Sequence, residues 1–333
     1  MLTLIGSFLL LTAFLSTLLL HHPHLLHPSR NKKLLHRRPA VRIAHRGSRQ
    51  EGLPENSLAA FKDAVLQGAD VVELDVWLLA DNQTVIVHHD ATLSRMSGGA
   101  NHERISSLTY AELPLLSPKD PNQTFAIANR SYSSSDCRKI PTFEEALLAI
   151  PESVSIIIEF KQDSDILIEN VLSIVKKHHR LPQIYWFSLT ETINRKLRRW
   201  PGGESIPVIV SLPGLLRTVF LYYMGLLPFF ALRFDVFGIT MEEINLERIR
   251  KEPALKAVPD NLKRIMAYFF NGKPSRALLS PPLFRHLKKR GVPIWFLGVN
   301  DDHDLKTAEL SGATGLLTDR ITWLSKQKFE PKW

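Results

Sequence analysis

The chain has 333 residues, of which 44% are hydrophobic, so it is long enough to bury one large core. Lysine and arginine number 42 against 33 acidic residues, and this formal net charge of +9 favours anionic partners such as phospholipid head groups or phosphorylated metabolites. Nucleic acid is not expected as a partner, because neither a zinc-ligand spacing nor an aromatic-and-basic RNA-binding signature is present. Cys137 is the single cysteine, which excludes an intrachain disulfide.

The chain begins with an apolar run from Leu2 to Leu20 that contains no charge and no proline. A helix of that length can just cross the hydrocarbon core of a bilayer. The alternative is a cleaved signal peptide, but there is no basic region before the run and no pair of small residues at a cleavage position. We therefore expect residues 1–20 to be a transmembrane anchor, followed by a basic juxtamembrane linker at residues 21–40.

The basic residues of this linker lie after the apolar run, and only the amino terminus precedes it. The positive-inside rule then predicts a single-pass protein of the endoplasmic reticulum or another internal membrane, with its catalytic part in the cytosol. Three N-glycosylation triplets, starting at Asn82, Asn122 and Asn129, would matter only in a lumenal protein. Such triplets arise often by chance, so the charge asymmetry decides the prediction.

Eight short apolar runs predict β-strands, and the amphipathic stretches between most of them predict helices. Thr142, with Glu145 three residues later, forms a capping box at the start of one of these helices. Eight strands that alternate with helices favour an α/β fold, a TIM (β/α)8 barrel, over residues 41–325. The predicted strands are Val41–Ala44, Val71–Val76, Ser155–Phe160, Ile184–Phe187, Ile206–Val210, Val236–Thr240, Val292–Val299 and Gly315–Thr318.

Two segments depart from the regular alternation. Thr84–Val87 is a ninth predicted strand, which we interpret as the return arm of a hairpin, and residues 91–140 are then a polar insertion after the second strand that lies over the barrel mouth. Residues 212–232 are unusually apolar, and they could form a buried core helix or a membrane-facing segment. We favour the membrane-facing loop, because a loop after a barrel strand lies on the catalytic face.

The residues with the clearest chemistry follow or end the first predicted strands. Glu73 and Asp75 are two residues apart, so on a strand they face the same way and can hold one hard cation. Two imidazoles, His45 and His89, can exchange protons near neutral pH. Arg46 can bind a phosphate oxygen through its fork of donors. Together these residues indicate cleavage of a phosphate ester.

A third carboxylate, Glu159, ends the next strand, and Lys161 follows it. Three carboxylates with waters fit one Mg²⁺ or Ca²⁺ ion, whereas no cysteine–histidine cluster suggests zinc. Lys161 would join Arg46 on the non-bridging phosphate oxygens. A set of ionisable residues at the ends of neighbouring strands is hard to explain as packing, because burial of unpaired charge is costly.

As a set, these motifs resemble those of the glycerophosphodiester phosphodiesterase family, and the resemblance covers about residues 41–325. Any single motif is weak, but their combination and order are specific. The matching motifs are His45-Arg46-Gly47, Glu55-Asn56-Ser57, Glu73-Leu74-Asp75, His89-Asp90, Glu159-Phe160-Lys161, Asn300-Asp301 and Thr318-Asp319.

The chain is also similar to the membrane-anchored lysophospholipase D branch of that family, through the stretches Pro23–His27 and Tyr222–Phe229. The resemblance implies a TIM barrel, one divalent cation, and hydrolysis of lysophospholipids to lysophosphatidate and the free head-group alcohol. By the same analogy a free glycerol hydroxyl attacks phosphorus, and two histidines act as acid and base in an order that the sequence does not assign. The implied roles are metal binding by Glu73, Asp75 and Glu159, acid–base catalysis by His45 and His89, and phosphate binding by Arg46 and Lys161.

Four further residues near these motifs need separate interpretation. His88 adjoins His89 but points to the opposite face of the strand, so we expect a surface or insertion-packing residue. The family usually has tryptophan three residues before the late asparagine, where this chain has Leu297. Trp295 shares a face with Leu297 and could supply the missing aromatic wall. We expect Asn300 to contact substrate and Asp319 to be structural.

Two other functions stay open from the sequence. The first is a phosphodiesterase of water-soluble glycerophosphodiesters that yields glycerol 3-phosphate. The second, from another class, is an inactive lipid-binding protein. The complete set of histidines and carboxylates argues against the inactive protein, whereas a membrane-associated apolar segment favours a lipid substrate over a soluble one.

Overall fold

A computed structural model describes residues 2–27, 40–49, 52–99, 101–116, 126–127, 130–241, 246–251, 255–270 and 278–331. The strands are β1 (Val41–Ala44), β2 (Val71–Leu78), β3 (Val85–Val87), β4 (Ala126–Ile127), β5 (Arg130–Ser131), β6 (Ser155–Phe160), β7 (Ile184–Phe187), β8 (Phe237–Thr240), β9 (Ile294–Leu297) and β10 (Gly315–Thr318). The helices are α1 (Leu2–His21), α2 (Leu58–Leu66), α3 (Ser134–Arg138), α4 (Phe143–Ala149), α5 (Asp165–Lys177), α6 (Glu191–Leu197), α7 (Leu212–Tyr223), α8 (Leu246–Lys251), α9 (Asp260–Phe270), α10 (Pro281–Lys289), α11 (Asp302–Leu310) and α12 (Ile321–Ser325).

Seven parallel strands form one sheet in the order β7-β6-β2-β1-β10-β9-β8. Residues 206–210 connect the two edges of this sheet, because Val208 forms a parallel bridge with Trp186 and Ile209 forms one with Val236. The prediction of an α/β fold with parallel strands is therefore confirmed. The run Ile206–Val210 pairs through these single bridges and is not itself an extended strand.

The predicted hairpin is present. β3 pairs antiparallel with the end of β2, with Val76 opposite Val87 and Leu78 opposite Val85. It lies off the path of the parallel strands, so the ninth strand is not a barrel stave. The hairpin places His88 and His89 beside β2, and the backbone N–H of His88 donates to the carbonyl of Asp75 at 3.0 Å.

The core is divided by the sheet. Every residue of β2 and β6 is buried, as expected for parallel strands covered on both faces. One apolar cluster fills the inside of the sheet, and larger clusters lie between the strands and the helices. The inner cluster contains Val41, Ile43, Val71, Ile157, Tyr185, Ile209, Val236, Trp295 and Leu317.

Two helices next to the strands are fixed by their first residues. Ser57 accepts a hydrogen bond from the N–H of Ala60 and so caps α2. At the start of α4, Thr142 and Glu145 form the predicted capping box, with each side chain bonded to the backbone of the other residue. These caps fix where each connecting loop ends, which determines the position of the loop residues at the carboxyl ends of the strands.

The insertion at residues 91–140 packs on the hairpin of β2 and β3. Its apolar residues Leu93, Ile105 and Leu108 are buried with Trp77 and Ile86 of the hairpin. Residues 100, 117–125 and 128–129 of the insertion lie outside the described part of the chain. The insertion thus has a small apolar core of its own, which holds it next to the loop that carries His89.

Leu2–His21 forms a helix, α1, but the transmembrane anchor expected at residues 1–20 is not found. Among the helices in the described ranges, none combines the length and the apolar character needed to cross a bilayer. One side of α1 is instead covered by protein: Ser16 and Leu19 are buried, and Ser16 Oγ donates to the carbonyl of Gly225 at 2.6 Å. Most of the linker predicted at residues 21–40 falls on residues 28–39, outside the described residues.

The apolar segment at residues 212–232 folds as α7 and a short helix, Leu227–Phe229. Leu215 and Val219 on the inner face of α7 are buried in the core, whereas Phe220 and Tyr223 are exposed. The interpretation as a core helix therefore holds for the inner face of α7, whereas contact of the apolar outer side with a membrane stays a prediction.

The two ends of this segment lie at opposite ends of the strands. α7 begins where residues 206–210 end, and Ser211 there bonds Glu191 at the start of α6. Arg290, which precedes β9, donates to the carbonyl of Phe230 at 2.9 Å. Phe230 therefore lies near the amino ends of the strands, whereas side chains at the carboxyl ends form the barrel mouth.

Candidate active site

Three carboxylates meet on the inner face of the neighbouring strands β2 and β6. Asp75 pairs with Glu159 in the register of the two strands, and Glu73 lies two residues before Asp75. All three share a face with Val71 and Ile157, which line the inside of the sheet. One oxygen of each carboxylate lies within 4.8 Å of the others, and all three residues are buried. The structure thus brings together the three residues predicted to bind a metal.

The turn after β1 carries Arg46 and Gly47 in left-handed backbone conformations, with φ of 55° and 80°. A Cβ atom on Gly47 would lie 2.7 Å from the backbone carbon and oxygen of Ala60, so only glycine fits between the turn and α2. Asn56 is also left-handed, with φ of 59°, and its N–H donates to the Arg46 carbonyl. Unusual backbone held by neighbouring contacts is typical of functional sites.

The same turn places donors on the carboxylates. The backbone N–H of Arg46 donates to Glu73 Oε2 at 2.9 Å, and its guanidinium Nε lies 3.3 Å from Asp75 Oδ2. Asn56 Nδ2 donates to Asp75 Oδ2 at 2.8 Å. On the other side, Lys161 Nζ lies 3.0 Å from Asp75 Oδ1 and 2.7 Å from Glu159 Oε1. Arg46 and Lys161, the predicted phosphate-binding residues, therefore flank the carboxylates.

The charges in this cluster are not balanced at Glu73. Burial, together with the charges of Asp75 and Glu159, raises the pKa of Glu73 well above its usual value. Burial also acts on Asp75, but the charges of Lys161 and Arg46 outweigh it and lower the pKa of Asp75. Among the described residues Glu73 Oε1 has no hydrogen-bond partner although it is buried. A buried, unpaired carboxylate oxygen beside two more carboxylates is a donor set that fits a hard divalent cation.

His45 follows β1 and is oriented by a residue that follows β10. Its Nδ1 atom donates to Asp319 Oδ1 at 2.7 Å. Asn300 fixes Asp319 in turn, since Asn300 Nδ2 donates to Asp319 Oδ2 and Asn300 Oδ1 accepts from the Asp319 N–H. Burial lowers the pKa of His45, although the hydrogen bond to Asp319 opposes this effect. Nε2 of His45 is then the nitrogen left for a substrate.

His89 follows β3 and has an equivalent arrangement. Its Nδ1 atom donates to Asp90 Oδ1 at 2.6 Å, and its backbone carbonyl accepts a bond from Trp77 Nε1 at 3.3 Å. Burial acts against ionisation of Asp90, but the hydrogen bonds from His89 and Arg95 outweigh it and lower the pKa of Asp90. Both predicted catalytic histidines thus have Nδ1 held by a carboxylate, the pattern that fixes an imidazole for proton transfer.

Three charged residues between the histidines were not predicted as part of the site. Arg49 Nε lies 3.0 Å from Asp319 Oδ1, and Arg95 Nε donates to Asp90 Oδ2 at 2.6 Å. Glu55 accepts from Arg95 Nη2 at 2.5 Å. Glu55 belongs to one of the recognised motifs, but nothing in the sequence pairs it with Arg49 or Arg95. Asp319, expected to be structural, orients His45 directly.

Trp295, which was predicted to line the substrate site, lies inside the sheet. Trp295 is only 3% exposed and packs inside the sheet, with its ring centroid 5.1 Å from that of Tyr185. Leu297, two residues later at the end of β9, is the residue partly open to the mouth. Asn300 contacts Asp319, as described above. His88 is buried, and its imidazole interacts with the backbone of Thr92 in the insertion.

The sequence pattern of the Glycerophosphoryl diester phosphodiesterase family matches residues 45–184, which include both histidines and all three carboxylates. A rat protein, Lysophospholipase D GDPD1 of Rattus norvegicus, is 34% identical over 328 residues, covering 98% of this chain and 95% of the relative. Human Lysophospholipase D GDPD3 is 28% identical and covers 94% of this chain and 91% of the relative.

Solved structures show the same fold. The glycerophosphoryl diester phosphodiesterase domain of a Mycobacterium tuberculosis protein superposes with a TM-score of 0.61 at 15% identity, over 86% of this chain and 98% of that chain. An Oleispira antarctica phosphodiesterase, solved with the product sn-glycerol-3-phosphate, gives a TM-score of 0.57 at 21% identity, over 85% and 94% of the two chains. The protein is therefore an enzyme of the glycerophosphoryl diester phosphodiesterase family, and within it belongs with the relatives named lysophospholipase D.

Proposed function

We propose that the enzyme hydrolyses lysophospholipids to lysophosphatidate and the free head-group alcohol, with one divalent cation, Mg²⁺ or Ca²⁺. The observation that carries this proposal is the pair of carboxylate-held histidines, His45 and His89, beside the buried cluster of Glu73, Asp75 and Glu159. The names of the full-length relatives support the substrate class.

Glu73, Asp75 and Glu159 would hold the cation. A bound cation supplies positive charge that stabilises the charge developing on the phosphoryl oxygens. Arg46 and Lys161 lie against the same carboxylates and can bind the non-bridging oxygens of the phosphate. These residues position the phosphorus atom next to the two histidines and favour the transition state over the bound substrate.

The two histidines move the protons. One histidine takes the proton of the free glycerol hydroxyl next to the phosphate, and that oxygen attacks phosphorus. The other histidine protonates the departing head-group oxygen, which leaves a cyclic phosphate. Water then opens the cyclic phosphate with the two roles exchanged, so each histidine returns to its first protonation state. A lipid with both acyl chains lacks the hydroxyl, so this mechanism predicts a preference for lyso forms.

An exposed apolar surface in the connection after β8 supports a lipid substrate. α8 and α9 lie in the connection that follows the carboxyl end of β8, the end at which the active site forms. Leu262, Ile265 and Tyr268 of α9 are all exposed, whereas Lys263 of the same helix is buried. We propose that this side of α9 contacts the acyl region of the substrate or of the membrane that carries it.

A second exposed apolar surface supports attachment to a membrane. It is formed by α1 and the end of α7, which are joined by the bond from Ser16 to Gly225. Large apolar side chains stay exposed on both elements, and such patches are unusual on a protein without a partner. We propose that the enzyme attaches to the surface of an internal membrane, with its barrel in the cytosol, because the basic residues that follow the first apolar run can bind the anionic lipids of a cytosolic leaflet. The exposed side chains are Leu11, Phe14, Leu15, Leu18, Phe220, Tyr223 and Met224.

One assay tests the function. Purified full-length protein is incubated with lysophosphatidylcholine and, separately, with glycerophosphocholine, with Mg²⁺, Ca²⁺ or EDTA, and products are identified by mass spectrometry. Lysophosphatidate and choline, formed with a cation and lost with EDTA, are the expected result. Turnover of glycerophosphocholine alone would establish a phosphodiesterase of soluble glycerophosphodiesters instead. Absence of any product with either cation would revive the inactive lipid-binding protein.

The soluble substrate is the second candidate because the mouth itself is polar. The groups that face the phosphate are charged, and the Oleispira antarctica protein of the same fold was solved with sn-glycerol-3-phosphate. A glycerophosphodiester carries the same phosphate and the same neighbouring hydroxyl, so the chemistry of His45 and His89 applies to it unchanged. The two candidates differ only in the surface that binds what lies beyond the glycerol.

A further inference from the structure

We propose that Glu55 is a positioning residue that couples the two active-site histidines through Arg49 and Arg95. The inference rests on the proposed function, since it assumes that His45 and His89 transfer protons in one reaction. It goes beyond that function by giving a role to a residue that contacts neither histidine. The coupling consists of a continuous series of ion pairs and hydrogen bonds from one imidazole to the other.

The first half of the series leads from Glu55 to His45. Glu55 Oε2 lies 3.6 Å from Arg49 Nη1, and Arg49 Nε lies 3.0 Å from Asp319 Oδ1. The same Asp319 oxygen accepts the hydrogen bond from His45 Nδ1 at 2.7 Å. Arg49 therefore acts on the carboxylate oxygen that orients His45, and a displacement of Arg49 changes both the position and the charge of that oxygen.

The second half leads from Glu55 to His89. Glu55 Oε1 accepts a bond from Arg95 Nη2 at 2.5 Å, and Arg95 Nε donates to Asp90 Oδ2 at 2.6 Å. The other oxygen of Asp90 accepts from His89 Nδ1 at 2.6 Å. Arg95 belongs to the insertion at residues 91–140. The insertion therefore contributes a side chain to the contacts that orient His89.

Glu55 is suited to this role by its burial and its charge. Its side chain is 6% exposed and lies among three guanidinium groups, those of Arg46, Arg49 and Arg95. Burial raises the pKa of Glu55, but the hydrogen bond from Arg95 and the surrounding positive charges outweigh it and lower the pKa to about 2. Glu55 is thus an anion near neutral pH, and its two oxygens contact different arginines in a site of low dielectric, Oε1 contacting Arg95 and Oε2 contacting Arg49.

A purely structural role is the competing explanation. Glu55 could serve only to neutralise Arg46, whose Nη1 donates to Glu55 Oε1 at 3.1 Å. In that case Arg49 and Arg95 would be independent of each other. The two explanations differ in one measurable respect, namely whether the effect of removing Arg49 depends on the presence of Arg95.

The test is a set of variants of the full-length protein: Glu55→Gln, Arg49→Ala, Arg95→Ala and the double variant Arg49→Ala/Arg95→Ala. Arg198→Ala is the matched control, since Arg198 forms a similarly covered ion pair with Glu191 outside the series. Turnover is measured on both lysophosphatidylcholine and glycerophosphocholine, with thermal unfolding to quantify the folded fraction. NMR of protein with isotope-labelled histidine gives the ring-nitrogen chemical shifts of His45 and His89, which report the tautomer of each imidazole without any need for turnover.

We expect Glu55→Gln to lower kcat by about 10- to 100-fold, with a smaller change in KM, as for other residues that orient catalytic groups. Glu55→Gln should change the ring-nitrogen chemical shifts of both histidines, whereas Arg95→Ala should change mainly those of His89. The double variant should lose less than the product of the two single losses, because either one already interrupts the series. Arg198→Ala should leave kcat unchanged.

Three results would overturn the proposal. They are a Glu55→Gln protein with wild-type kcat per folded molecule, unchanged ring-nitrogen chemical shifts of both histidines, or single-variant losses that multiply in the double variant. The proposed function fails in a different way, because wild-type protein would then release no product from either substrate. The NMR measurement is independent of that outcome, so an inactive wild-type protein still yields a result for the coupling.

Discussion

His45 Nδ1 and Asp319 Oδ1 lie 2.7 Å apart, although 274 residues separate them in the chain. The reason is the pairing of β1 with β10, in which Ala44 is opposite Thr318. Each residue follows the last residue of its strand, so the register of the two strands sets the distance between the imidazole and the carboxylate. The first and last strands of the barrel thus build one half of the active site.

The first prediction concerns this pair. Asp319→Asn keeps the shape of the side chain but removes the charge that favours the productive tautomer of His45 and stabilises its protonated form. We expect kcat to fall by about 10²- to 10⁴-fold, with a much smaller effect on KM. Steady-state kinetics with lysophosphatidylcholine and with glycerophosphocholine measures both constants. A rise in KM at unchanged kcat would show that Asp319 binds substrate and does not orient His45.

Asn300→Ala is expected to lower kcat less than Asp319→Asn does. Asn300 touches Asp319 through two hydrogen bonds and does not contact His45 in the described structure. Its removal should therefore reduce kcat in the same direction as Asp319→Asn but to a smaller extent. A larger loss than that of Asp319→Asn would indicate direct contact between Asn300 and the substrate, as expected from the sequence alone.

The second prediction concerns the metal. In protein without a cation, Glu73→Gln should be at least as stable as wild type, because the pKa of Glu73 is raised and a neutral side chain removes an uncompensated buried charge. With a cation at about 100 times its Kd, wild-type protein should gain about 2.7 kcal/mol of stability, and Glu73→Gln should not. Thermal unfolding in EDTA and in increasing Mg²⁺ or Ca²⁺ makes this comparison.

Two results would contradict the metal assignment. One is a melting temperature of wild-type protein that does not respond to either cation, and the other is an equal response of Glu73→Gln. Lys161→Met serves as a control for general disturbance of the site, since Lys161 pairs with Asp75 and Glu159 but supplies no oxygen ligand.

The residues predicted from the sequence are those whose position depends on local rules. Side chains alternate along a strand, so Glu73 and Asp75 had to face the same way, and the carboxyl ends of parallel strands meet, so Glu159 had to lie near them. The hairpin of β3 followed from a turn-prone link between two apolar runs. These rules need no knowledge of distant contacts.

The residues that the sequence did not assign depend on distant contacts. Asp319 stands in a recognisable motif, but its role comes from the register of β10 against β1. Arg95 lies in an irregular insertion with no period to place it, and it reaches Glu55 across 40 residues of chain. Trp295 has the expected strand face, but the packing of its indole against Gly315 and Tyr185 places it below the mouth.

The third prediction is a pH dependence of stability. The pKa of Glu55 is lowered from 4.5 to about 2 in the folded protein, so its stabilising contribution is present above pH 4.5 and is lost as the pH falls towards 2. The full shift corresponds to about 3 kcal/mol. The difference in unfolding free energy between wild type and Glu55→Gln should therefore be largest near pH 6 and shrink between pH 4.5 and 3.5.

Urea unfolding at these three pH values measures that difference directly. A gap between wild type and Glu55→Gln that stays constant or widens as the pH falls would show that Glu55 is not stabilised as an anion. Lys196, whose ion pairs with Asp163 and Asp165 are exposed, offers a control substitution with little expected effect at any of these pH values.

The fourth prediction concerns the turn that carries Arg46. Gly47→Ala requires a left-handed alanine and also places its Cβ 2.7 Å from the backbone of Ala60. We expect a loss of roughly 3 kcal/mol or more. Gly99→Ala is the matched control, because Gly99 has φ of 86° but no atom within 4 Å of the added Cβ, so it should cost only about 1–2 kcal/mol. Equal losses in denaturant unfolding would mean that the contact with Ala60 relaxes freely.

The last prediction tests the proposed contact between α9 and lipid. Ile265 is exposed in the connection that follows β8, so Ile265→Glu removes an apolar contact with lipid without disturbing a packed core. Burial of such a side chain contributes about 1.5–3 kcal/mol, so turnover of lysophosphatidylcholine in vesicles should fall about tenfold or more. Turnover of glycerophosphocholine, which has no acyl chain, should not change.

Leu310→Glu is the matched control, because Leu310 is equally exposed at the end of α11. Two results would show that α9 does not bind the lipid: an equal loss of turnover on both substrates in Ile265→Glu, or an equal loss of vesicle turnover in Leu310→Glu. The apolar surface formed by α1 and α7 would then have to make the membrane contact alone.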